Sequence, residues 1–136
     1  MLAKVLFNDK LMKYNYSIDI NNKIIFVNVT GSIYESDASE IGLLLRQKAQ
    51  EMRYSLIFNL VETDNNISMG SAYFWFEKYY DRINDKLRFI PTAYITHKNQ
   101  GSYYNFIQTI CLNHGIKTRI FDNEEAAINW LKKNNH

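Results

Sequence analysis

The chain has 136 residues, 46% of them hydrophobic and 15% aromatic, the size and apolar content of one domain with a packed core and no linker. Sixteen Lys and Arg against 14 Asp and Glu leave a formal charge of +2 with no basic block, which excludes the electrostatic footprint of a nucleic-acid binder. A lone Cys111 excludes an internal disulfide framework, and no run of roughly eighteen apolar residues is present to span a membrane, so a soluble, cytoplasmic protein is expected.

The first ten residues, MLAKVLFNDK, break their apolar run with a lysine and an aspartate, so they read as a candidate extra strand at 4–7 rather than a signal peptide. Residues 14–20 alternate apolar and polar, Asn21 and Asn22 supply turn chemistry, and 23–30 are apolar and β-branched, which predicts a hairpin. Asp37 and Glu40 stand at capping-box spacing before Ala38, Ile41, Leu44, Leu45, Ala49 and Met52, predicting a helix that ends near Arg53. The run SLIFNLV at 55–61 suits a strand buried on both faces and so a parallel sheet. A polar loop follows, in which Ser68 or Ser71 caps a second helix over 72–83 carrying Ala72, Trp75, Phe76, Tyr79, Tyr80 and Ile83.

Residues 89–96 read as a strand with Pro91 near its beginning, where no ladder bond is required. Ser102 opens a helix with Phe106, Ile107, Ile110 and Cys111 on one side, and Gly115 suits the left-handed residue that ends it. A short strand at 117–121 precedes a second capping box, Asp122 with Glu125, and a last helix bearing Ala127, Trp130 and Leu131. The order β-β-α-β-α-β-α-β-α demands an α/β domain over 1–136 with a mixed, mainly parallel sheet, antiparallel only at its N-terminal hairpin and covered by about four helices.

Ligands of such sheets bind beyond the carboxyl ends of the parallel strands, here Gly31-Ser32, 62–70, 97–101 and Asp122. Glu62, Asp64 and His97 fall there without any metal-ligand spacing, and neither GxxxxGK[ST] nor GxGxxG occurs, so no catalytic, metal or cofactor site is assigned. Cys111 and His114 share a helix, but Cys111 lies on its apolar stripe, which favours a core thiol over a nucleophile. The second helix is more telling. Tyr73, Phe74, Trp75, Phe76, Tyr79 and Tyr80 occupy more than one face, so part of this surface is expected to meet a partner, a second copy or a ligand.

The hairpin YSIDINNKIIFVNVTG and the ending RIFDNEEAAINWL resemble the STAS domains of bacterial anti-sigma-factor antagonists (SpoIIAA-like), over roughly 14–131, and the divergent STAS/SEC14-like branch most of all. In regulatory members an Asp-Ser-Ser/Thr-Gly motif after the third strand carries a serine phosphorylated by a partner kinase. Laying IFNLVETDNNISMG on that pattern places Ser68 on the phosphoacceptor and Gly70 on the glycine, with Ile67 and Met69 departing from it. Ser68 is therefore a helix cap first and a phosphoacceptor second. The resemblance implies a non-enzymatic regulatory module that docks a protein partner or a second copy through the helix-entry edge at 62–71, involving Asp64, Ser68, Gly70 and His97. Its alternative is a carrier or sensor of a small apolar ligand or lipid, held in a crevice lined by Tyr73, Trp75, Tyr79 and Tyr80.

Overall fold

The Asp19 carboxylate accepts from the Asn22 amide at 3.0 Å and from Asn22 Nδ2 at 2.8 Å, and Lys23 takes a left-handed φ of 55°, so the chain reverses over 20–23. This turn joins β1 (Lys13–Asp19) to β2 (Ile24–Ile33) antiparallel, with Tyr16 opposite Val27. There follow α1 (Glu35–Met52), β3 (Ser55–Asn65), α2 (Met69–Tyr79), β4 (Thr92–Ile95), α3 (Gly101–Asn113), β5 (Thr118–Phe121) and α4 (Glu124–Lys133). The computed structural model describes residues 11–79 and 89–134, so the candidate strand at 4–7 and the end of the predicted second helix lie outside the described residues. The strands stand in the order β1-β2-β3-β4-β5, and every pairing after the hairpin is parallel.

Strand alternation separates two apolar clusters. Ile25, Val27 and Val29 of β2 with Leu56, Phe58 and Leu60 of β3 meet Leu45 and Ala49 of α1, Ala72 of α2 and Tyr104, Ile107 and Cys111 of α3. Ile24, Ile57, Ala93 and Ile95 turn the other way, onto Ala127 and Leu131 of α4. Among the described residues three helices thus cover one face and one the other, which leaves room for a site between the helices of the crowded face.

Several boundaries differ from the sequence reading, each for a local reason. The helix α1 begins at Glu35 with Tyr34 as an N-cap that makes no side-chain bond, so Asp37 serves in the first turn, where its charge suits the helix dipole. Leu44, expected on the buried stripe, is 52% exposed. The helix α4 is capped by Asn123, which accepts from the Ala126 amide at 2.8 Å, and not by Asp122. The strand β3 does not stop at Val61 but continues through the polar residues to Asn65, because Thr30–Ile33 offers ladder partners from Glu62 to Asn65. The register shifts on the way, with Leu60 and Val61 both opposite Val29 in a β-bulge, and Asn59 Oδ1 takes the Val61 amide at 3.2 Å. Pro91 sits just before β4, where it gives up no ladder donor and its carbonyl accepts from the Leu56 amide at 3.0 Å.

Candidate functional site

A cavity of about 190 Å³ lies between the sheet and helices α1, α2 and α3. Its floor is Phe58, Leu60 and Tyr94, and one wall is a stripe of α1 that recurs at helical spacing: Glu35, Ala38, Ser39, Gly42 and Arg46. A Cβ placed on Gly42 would meet nothing within 4 Å, so this glycine holds the wall open. The helix α2 contributes Ala72, Trp75 and Phe76, and α3 contributes Tyr103, Tyr104, Ile107 and Cys111. Aromatic rings shape much of the enclosure: Trp75 meets Phe76 edge-on at 5.1 Å, Tyr94 lies 5.6 Å from Phe58 and 6.0 Å from Tyr104, and Tyr103 meets Tyr104 at 5.0 Å.

The polar groups of the cavity are few and held in place. Arg46 Nη1 donates to Thr92 Oγ1 at 3.1 Å, Thr92 Oγ1 donates to the Ile90 carbonyl at 3.1 Å, and the Arg46 guanidinium also bonds the Tyr94 hydroxyl. Burial pushes the Tyr94, Tyr103 and Tyr104 phenols well above the ordinary tyrosine range, and each neighbouring phenol adds to the effect on Tyr103 and Tyr104. All three remain neutral hydroxyls at physiological pH.

Cys111, 2% exposed, has its thiol pushed up by burial, and His114 Nδ1 donates to the Ile110 carbonyl at 2.8 Å. Neither residue is set to activate the other. Cys111 should accordingly resist a thiol reagent such as Ellman's disulfide in the folded protein and react fully in denaturant; rapid stoichiometric labelling under native conditions would contradict the buried setting.

A second feature forms where β3 passes into α2. The pairing of β3 with β4 ends at Asn59–Ile95, so residues 60–65 carry a strand partner only on the β2 side. Gln100, at the end of a 3₁₀ turn before α3 (Lys98–Gln100), fills the open side: its Nε2 donates to the Leu60 carbonyl at 2.8 Å and the Thr63 carbonyl at 3.0 Å. Its Oε1 accepts from the His97 amide at 2.9 Å. The Thr63 side chain donates to the Leu60 carbonyl at 2.6 Å, and its hydroxyl lies near the Tyr104 phenol, so this edge adjoins the cavity wall.

Among the residues singled out in the sequence, Ser68 is exposed and its Oγ accepts from the Ser71 amide at 3.1 Å, the bond of an N-cap. Asp64 and Gly70 are exposed beside it, and the His97 backbone is tied to β3 through Gln100. The helix α2 divides its aromatics: Trp75 and Phe76 line the cavity, whereas Tyr73 at 48% and Phe74 at 72% exposure face solvent with Met69 at 41%. The side chain of Tyr79 and the whole of Tyr80 lie outside what is described. Glu62, Asp64 and His97 do not converge, and among the described residues no group of three His, Cys, Asp or Glu is placed to hold a metal ion. No helix of the described residues is long and apolar enough to cross a membrane. The sequence reading missed Arg46, Thr63 and Gln100. For Arg46 a signal existed, since Ala38, Ser39 and Gly42 leave a furrow of small residues leading to it at helical spacing.

Among the described residues β1 runs antiparallel to β2, β2 to β5 run parallel, and four helices cover the sheet, which is the SpoIIAA-like α/β fold. Solved structures that share it include the following two. An anti-sigma factor antagonist from Mycobacterium paratuberculosis superimposes with a TM-score of 0.58 at 9% identity, covering 90% of this chain and 96% of its own. An uncharacterized protein with a SpoIIAA-like fold from Shewanella loihica gives a TM-score of 0.56 at 14% identity, covering 88% and 93%. At these identities the likeness is one of fold. No protein-family profile and no curated protein matches the sequence.

Proposed function

We propose that this chain is a non-catalytic regulatory binding domain that docks a protein partner through the edge where β3 enters α2, residues 62–71 with the adjoining turn of the helix. The observation that carries the reading is the exposed apolar cluster of Met69, Tyr73 and Phe74 immediately after a strand edge closed by one side chain, Gln100. Large apolar side chains gathered beside a polar rim mark interaction surfaces more often than isolated ones do. The anti-sigma factor antagonist with the same fold supports a regulatory partner. In this reading Ser68 is the group a partner kinase would modify, because a phosphate there meets the free amides and positive end of α2.

Replacing Tyr73 and Phe74 together by Ser tests it. Exposed positions tolerate substitution at a cost usually below about 0.5 kcal/mol, so the thermal midpoint should hold while a partner recovered by crosslinking from the native host is lost. Retention of that partner by the double variant would remove this surface from the docking role. Sedimentation of the same pair reports whether the partner is a second copy. The cavity favours a second reading, a sensor or carrier of a small apolar ligand, since Trp75 and Phe76 join the enclosure from the same helix that presents Tyr73 and Phe74 outside.

A further inference from the structure

The cavity has two chemically different ends. Glu35 and Arg46 both line it and stand eleven residues apart on α1, about 16 Å along the helix axis. The Arg46 guanidinium offers five N–H donors; Thr92 Oγ1 and the Tyr94 hydroxyl engage it, and no carboxylate of a described residue pairs with it. Among the described residues the groups that engage this half-buried cation are neutral hydroxyls, and its guanidinium suits a planar anion received through paired N–H groups. Between the two ends, Phe58, Trp75, Phe76 and Ile107 give an apolar passage that Gly42 keeps wide. A cavity of about 150 Å³ takes one benzene, so about 190 Å³ drawn out along a helix suits a single unbranched chain of roughly eight carbons better than a compact ring.

From these observations we infer that the cavity binds a medium-chain carboxylate, its carboxylate on Arg46 and its alkyl chain along the Phe58, Trp75 and Phe76 surfaces. The inference rests on the ligand reading of the cavity and adds the head group and its anchor. Glu35 disfavours the reverse orientation, because it would set two carboxylates together.

Isothermal titration with octanoate and octan-1-ol, which share a chain and differ in charge, separates the two levels of the claim. Octanoate should bind the wild-type protein at least tenfold more tightly than octanol, and Arg46→Met should erase that difference. Gly42→Leu, which fills the passage from a helical position open to a side chain, should abolish binding of both. Equal affinity for the two probes overturns the carboxylate assignment while leaving the ligand reading intact, and so does undiminished preference in Arg46→Met. Failure of the wild-type protein to bind either probe at millimolar concentration overturns both, and binding by Gly42→Leu equal to wild type places the ligand elsewhere. Should Arg46→Met lose its native circular dichroism, the comparison of the two probes on the wild-type protein still decides.

Discussion

Titrating the protein above pH 10 should unfold it cooperatively and more steeply than a chain with exposed tyrosines would. The cause is the trio Tyr94, Tyr103 and Tyr104, whose phenols are held neutral by burial in the cavity wall. In the unfolded chain each ionises near pH 10, whereas in the folded chain each keeps its proton to higher pH. The folded state then binds more protons than the unfolded one, and stability falls as pH rises through that window. Below about pH 10 both states hold the protons and the stabilisation is fully present. Above it, each retained proton removes about 1.4 kcal/mol per pH unit. For a domain with about 5–15 kcal/mol in hand, two such groups consume a large share of the stability within a pH unit or two.

The check is a pH series followed by circular dichroism together with tyrosinate absorbance. Unfolding and the ionisation of the buried Tyr94, Tyr103 and Tyr104 phenols should coincide. Tyr104→Phe should flatten the alkaline limb by about one proton. Ionisation of Tyr94, Tyr103 and Tyr104 near pH 10 with the fold intact would contradict the buried setting of these phenols.

The fold was legible in the sequence to the extent that periodicity reports it. Alternation in the hairpin, the unbroken run SLIFNLV and the apolar stripes of α3 and α4 follow from local burial, which the amino-acid pattern encodes directly. What escaped depended on distant partners. The residues Glu62 to Asn65 look like a polar loop and become strand only because Thr30–Ile33 lies alongside them after a bulge. The same limit applies to the candidate site. Crowding of aromatics on α2 announced that two faces would be apolar, yet only the packed helices show Trp75 and Phe76 turned inward and Tyr73 and Phe74 outward. Gln100 carries no sequence signal at all, for its role comes from strands forty residues earlier in the chain.

Gln100→Leu is therefore expected to be among the most damaging single substitutions at a polar position. Gln100 is buried, and its amide joins the Leu60 and Thr63 carbonyls on one side to the His97 amide on the other. Leucine fills much of the same space and makes none of these bonds. The Leu60 carbonyl retains the Thr63 hydroxyl as donor, so the variant strands the Thr63 carbonyl and forfeits the bond from the His97 amide. One buried group left unsatisfied costs about 1–3 kcal/mol and one further lost hydrogen bond about 1 kcal/mol, which together predict a loss of roughly 2–4 kcal/mol in denaturant unfolding. The location of the damage is as diagnostic as its size. Amides of 62–66 should exchange faster with solvent, because the strand edge beyond Asn59 has lost its closure, while those of 56–59, paired on both sides, keep their rank among the slowest. Tyr104 lies near Thr63, so the cavity wall should loosen with the edge, and any ligand held there should be released faster. A variant with unchanged stability and unchanged exchange at 62–66 would mean that the edge is held by β2 alone, and that the cavity and this strand edge are energetically independent.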